Sequence, residues 1–94
     1  MSEIEKRLEE IGIQLPDSPS PVANYVPVVR TGNLIYLSGV GPMPKADGSA
    51  YVGKLGLEYT VEEGYEAARL TGVNLLARLK GYLGDLDKVT QIIK

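Results

Sequence analysis

Apolar residues recur along the chain in two rhythms, helical and alternating, and the breaks between them predict the elements. Ile4, Leu8 and Ile11 return at helical spacing, with Ser2 and Glu5 placed as a capping box and Gly12 as the stop. This predicts a short helix over about 2–11. Residues 15–24, "LPDSPSPVAN", hold three prolines and four small polar residues, a composition that favours an extended lead-in. "YVPVVR" and "LIYLS" are then two β-rich runs around Thr31-Gly32-Asn33, the pattern of a tight hairpin with Gly32 at positive φ. Pro27 cannot donate to a ladder, so the first strand should be an edge strand or irregular at that point. Both faces of the second strand are apolar, Leu34 and Tyr36 on one and Ile35 and Leu37 on the other. Such a strand requires cover on both sides.

Residues 40–57 carry glycine at 41, 48, 53 and 56 and proline at 42 and 44, which predicts a loop with a turn at "ADGSA" and a short strand about 50–52. Thr60 opens the longest element. Thr60 and Glu63 form a second capping box, and Glu62, Glu63 and Glu66 place negative charge at the positive end of the helix dipole. Val61, Tyr65, Ala68, Gly72, Leu75, Leu79 and Leu83 make one apolar stripe, and Gly84 ends it. Gly72 inside the stripe predicts a close approach of the sheet backbone. "LDKVTQIIK" reads as a turn into a strand from about Lys88 or Val89, still running at Lys94.

One amphipathic helix covers one face of a small sheet, so the second strand predicts a neighbouring chain on its other face. Homo-oligomerisation is the expectation. The chain has 94 residues and reads as a single domain. Its apolar content of 44% and charged content of 23% are those of a folded chain. Ten basic against twelve acidic residues give a net charge of −2 and a pI near 5.0, without a basic cluster, which argues against nucleic acid as partner. Cysteine and histidine are both absent. Disulfides, thiolate metal sites, Ser-His-Asp and Cys-His catalysis and most transition-metal sites are therefore excluded. The N-terminus is charged and lacks an apolar signal core, and no run approaches the roughly 20 apolar residues of a membrane span, so a cytoplasmic location is expected.

Candidate chemistry is sparse. "GVGPMP" fails as a dinucleotide loop because Pro44 stands where a third small residue and a helix start are needed. It reads as a strand end or as glycine backbone lining a ligand pocket. Glu62 and Glu66 share a helix face but fit a solvated, dipole-complementing role. Tyr25 is either rim packing or a substrate contact. Ser38 has no activating base in sequence, which favours strand-end hydrogen bonding. Arg30, Lys45 and Lys54 surround the glycine loop and could attract a carboxylate. The remaining tyrosines read as packing residues.

The order "NYVPVVRTGNLIYLSGVGP", a glycine-rich excursion, and a long helix ending "LLARLKGYLGDLDKV" resembles the RidA family, also called YjgF-type or endoribonuclease L-PSP/chorismate-mutase-like proteins. The resemblance runs from about 21 to 94, and "RLEEIGIQLP" is similar to a subgroup with an added leading helix. It implies an α/β fold of the chorismate-mutase-like sandwich type, with helices on one sheet face, three subunits meeting through the other, and ligand clefts between them. The 1–94 domain would comprise the leading helix 2–11, the lead-in 15–24 and a core from 25, with the later strands and helix of the pattern falling past Lys94. The chain thus reads as the N-terminal two-thirds of the pattern, truncated at its C-terminus. The implied activity is hydrolysis of reactive imines and enamines, such as 2-aminoacrylate, to a keto acid and ammonia without a cofactor. The implied ligand is a small carboxylate-bearing metabolite, with Tyr25, Ser38 and Gly39 as substrate-binding residues. The usual glutamine after the Ser-Gly pair is Val40 here, and the pattern's arginine and glutamate would lie beyond Lys94, so no catalytic residue is assigned. The alternatives are a non-catalytic small-molecule-binding or assembly module, and the endoribonuclease or translation-inhibitor activity attributed to some relatives.

Overall fold

The computed structural model describes residues 3–16, 26–42, 44–45 and 47–94. The element order is α1 (Glu3–Glu10), β1 (Val28–Thr31), β2 (Leu34–Leu37), α2 (Val61–Leu83) and a 3-10 turn (Leu86–Lys88). The fold is the expected α/β combination of a hairpin followed by a long helix packed on it.

Helix α1 ends in a Schellman motif: Gly12 takes φ +80°, Ile13 N–H donates to Leu8 O at 2.8 Å and Gly12 N–H to Glu9 O at 3.1 Å. Ser2 of the expected capping box lies outside the described residues. The α1 N-terminus is instead seen held from a remote site, where Asp87 accepts from Glu3 N–H at 2.8 Å and Ile4 N–H at 2.9 Å. A carboxylate here satisfies two orphan donors and opposes the helix dipole.

Strands β1 and β2 pair antiparallel, with Val28 opposite Leu37 and Thr31 opposite Leu34, leaving the two-residue loop Gly32-Asn33. Gly32 has φ +57°, as the expected turn demands. Pro27 stands just outside β1, and its carbonyl accepts from Ser38 N–H at 3.0 Å. Val28, Ile35 and Leu37 are half-buried, whereas Val29, Leu34 and Tyr36 on the other face are exposed.

Helix α2 carries the complete capping box, with Thr60 N–H donating to Glu63 Oε1 at 2.9 Å and Glu63 N–H to Thr60 Oγ1 at 3.1 Å. Gly84 closes it at φ +80°, its N–H bonded to Lys80 O at 2.7 Å. The buried face differs from the expected stripe. Val73, Asn74, Ala77 and Arg78 are its buried residues, whereas Val61 and Tyr65 are 70% and 74% exposed. Selecting positions by apolar type missed the polar members of the packed face. Gly72 is likewise not a point of close approach, since a Cβ there would meet nothing within 4 Å. The tight contact is at Gly64, where a Cβ would run into Leu55 Cδ2.

Two expected strands are corrected. Residues 50–52 have no regular structure, and a single parallel bridge joins Leu55 and Tyr59 instead. The loop folds on Lys54 O, which accepts from Leu57, Glu58 and Tyr59 N–H at 3.1–3.2 Å, a local closure that competes with strand pairing. A turn forms at Asp47 and Gly48 as expected, with Gly48 N–H donating to Lys45 O at 2.8 Å. Beyond Leu83 the chain forms the 3-10 turn started by Asp85, whose side chain accepts from Asp87 N–H. Residues 89–94 form no ladder because no described strand lies alongside them. Among the described residues the buried apolar side chains are Leu8 on α1, Val73 and Ala77 on α2, and Leu86 on the 3-10 turn, which packs against both helices.

Candidate functional site

Ser38 and Gly39 leave β2 toward the glycine loop. Both donors of Ser38 go to the hairpin: its N–H bonds Pro27 O, and its hydroxyl donates to Val26 O. This is the strand-end role, and it leaves Ser38 Oγ no activating base. Gly39 stands in the open, with no atom within 4 Å of where a Cβ would be. The N–H groups of Gly39, Val40 and Gly41 have no partner among the described residues. Gly41 is fixed through its carbonyl, which accepts from Asn74 Nδ2 at 3.2 Å. Asn74 is buried on α2 and anchors the loop from beneath, a role that its place beside an apolar stripe hid in the sequence. Tyr25 lies outside the described residues.

Of the cations near the loop, Arg30 and Lys45 each engage their own neighbours. Arg30 Nε donates to Gly32 O at 2.9 Å, at the hairpin turn and away from Gly39. Lys45 Nζ donates to Tyr59 Oη at 2.8 Å and lies 5.1 Å and 4.7 Å from the Tyr51 and Tyr59 ring centroids. The hydrogen bond to Tyr59 raises the Lys45 pKa above its ordinary 10.5, so it is an ammonium at neutral pH. Tyr51 and Tyr59, read as plain packing, thus form a cation–π pair with their centroids 6.0 Å apart.

The helix carboxylates are not an acid/base pair. Glu66 lies 3.6 Å from Arg69, and Glu63 is consumed by the cap. The Thr60 backbone N–H, followed by the Thr60 hydroxyl, lowers the Glu63 pKa below 4.5. A depressed carboxylate pKa contributes stability above the unfolded value and loses it as pH falls through the folded one. In urea unfolding, wild type should therefore exceed Glu63→Gln at pH 7, and the gap should close below pH 4.5. No group of three or more His, Cys, Asp or Glu side chains suited to a metal occurs among the described residues. Nor is any described helix long and apolar enough to cross a membrane.

Residues 5–94 match the family described as "YjgF/chorismate mutase-like, putative endoribonuclease", and the chain belongs to that family. It is 39% identical over 88 residues to Protein TCP17 of Trypanosoma cruzi, which covers 93% of this chain and 54% of that protein. Among solved structures it is similar to a "putative endoribonuclease" of Shewanella oneidensis, with a TM-score of 0.81 and 39% identity, covering 94% of this chain and 58% of that one. A second is the protein Atu1372 of unknown function from Agrobacterium tumefaciens, with a TM-score of 0.77 and 43% identity, covering 96% of this chain and 54% of that one. The chain therefore spans just over half the length of these relatives.

Proposed function

We propose that the end of β2 is the floor of an imine- or enamine-hydrolysing site for a small carboxylate-bearing metabolite. The observation that carries this reading is the run of N–H groups from Gly39 to Gly41 without a partner among the described residues, held by Asn74 on one side and the Ser38–hairpin bonds on the other. Backbone donors fixed in advance suit a carboxylate or a developing negative charge, because they need no reorganisation during reaction. In the reaction water adds to the imine carbon, the C–N bond breaks, and ammonia leaves beside the new carbonyl without change of redox state. Water activation is not assigned to any residue of this chain. Ser38 and Gly39, with Tyr25, are the proposed substrate contacts.

The test is release of ammonia or keto acid from 2-aminoacrylate generated in situ by a PLP enzyme. A rate above buffer that falls at least ~10-fold in Gly39→Val, as expected when a side chain fills the open floor, supports the reading. No rate from folded protein defeats it and leaves a binding or assembly module. The endoribonuclease reading follows the names of relatives, but the charge of −2 is unfavourable for it.

We also propose that the chain acts as a homo-oligomer, with a trimer expected from the family resemblance, in which the Val29, Leu34 and Tyr36 face is covered by a second copy. These three side chains are 53%, 42% and 59% exposed on a sheet face that water disfavours. The Cα radius of gyration, 14.6 Å, exceeds the ~12 Å of a compact chain of this length. Sedimentation at micromolar concentration should show association, and Tyr36→Lys should reduce it to monomer. A clean wild-type monomer would refute it.

A further inference from the structure

The hairpin register fixes which backbone groups face outward. Ser38 N–H donates to Pro27 O, and in the same register Tyr36 stands opposite Val29 and Leu34 opposite Thr31. Hydrogen-bonded and non-hydrogen-bonded pairs alternate along an antiparallel ladder. Ile35 and Leu37 therefore turn their N–H and C=O groups away from β1, and Val28 and Arg30 turn theirs away from β2. Among the described residues the sheet has only these two strands, so neither outer edge is paired. The two edges are not equivalent. A charged side chain or a proline blunts an edge against further pairing. β1 follows Pro27 and carries Arg30 in its outward set, whereas β2, Leu34–Leu37, has neither charge nor proline.

The same chain holds a strand-forming sequence that has no ladder. Residues 89–94, "VTQIIK", are rich in β-branched types, and Val89 already has extended angles, φ −84° and ψ 120°. Ile92 and Ile93 are 79% and 72% exposed. In an extended strand Val89 and Ile93 share one face and Ile92 takes the other. Strand β2 is apolar on both faces in the same way, with Ile35 and Leu37 on one and Leu34 and Tyr36 on the other. Laid beside β2, the segment sets apolar side chains against apolar ones on both faces, the cross-strand contact that stabilises a sheet. We propose that residues 89–94 of one copy add as a strand to the outer edge of β2 in a second copy, through the Ile35 and Leu37 backbone groups. Each copy gives one strand and receives one, so the exchange closes in a pair or a ring and leaves no β2 edge open. This strand exchange rests on the association proposed above and names the segment that carries it. The imine-hydrolysing reading is independent of it, since the Gly39–Gly41 N–H groups take no part.

The test combines sedimentation with amide hydrogen exchange of the full chain at several concentrations. In the associated wild type the Ile35 and Leu37 amides should be protected, and the protection should fade on dilution to monomer. Neighbouring residues of a strand turn their N–H groups to opposite edges. Of Ile92→Pro and Ile93→Pro, one therefore removes a donor to β2 and the other does not. One of the two should weaken association about tenfold more than the other and free the Ile35 and Leu37 amides to exchange. Both side chains are exposed, so in dilute monomer each variant should keep the wild-type urea midpoint. Strand exchange alone is overturned if association survives both prolines, if the two weaken it equally, or if Ile35 and Leu37 stay protected in the monomer. A wild type that sediments as a clean monomer overturns the association as well.

Discussion

Leu86→Ala is expected to lower stability by about 3 kcal/mol, the cost of removing a fully buried leucine from a site that cannot close around the gap. Leu86 is 1% exposed, and the 3-10 turn that carries it touches both α1 and α2. With Leu8, Val73 and Ala77 as the other buried apolar side chains, the core has little redundancy. The measurement is urea unfolding followed by far-UV circular dichroism, with Ile93→Ala as control. Ile93 is 72% exposed, and its replacement should change stability by less than ~0.5 kcal/mol. Equal effects of the two substitutions would mean that the α1–α2 junction is not the core. Asp87 holds the same junction by a different force. Asp87→Ala should cost about 1–2 kcal/mol, as loss of a helix cap does, and should free the α1 amides to exchange while α2 stays protected.

Local chemistry made much of the fold legible in the sequence. Thr60 and Glu63, Gly12, Gly32 and Gly84 each satisfy or terminate a backbone run within a few residues, so their types alone predict the helix ends and the hairpin turn. What could not be read is what depends on distant partners. Asp87 reaches α1 across 84 residues, and Asn74 reaches Gly41 across 33. Neither contact leaves a periodic trace. The expected strands at 50–52 and after Lys88 failed for the same reason, since strand propensity becomes a strand only where a neighbour offers a ladder. Ser38 and Gly39 follow the end of β2 at Leu37, as the strand pattern implied. The Gly39–Gly41 N–H groups without a described partner and the Asn74 anchor needed three dimensions, as did the contact of Lys45 with Tyr51 and Tyr59.

Arg78→Met is expected to act in the opposite direction and to stabilise the monomer by about 1–3 kcal/mol. Arg78 is 6% exposed, and its Nε and Nη1 are buried without a hydrogen-bond partner among the described residues. A buried guanidinium lacking a counter-group bears the desolvation cost with no compensating bond, while methionine keeps the apolar stem and removes the charge. Asn74 one turn earlier also has a buried, unpartnered Oδ1. The packed face of α2 thus holds donors and an acceptor that no described residue pairs. Dilute urea unfolding of Arg78→Met should give a higher midpoint, and a lower one would show that the guanidinium is hydrogen-bonded in solution. The same variant reports on assembly. If a second copy brings a carboxylate to Arg78, sedimentation should show association weakened about tenfold or more even as the monomer gains stability. Association unchanged in Arg78→Met but lost in Tyr36→Lys would confine the interface to the exposed hairpin face.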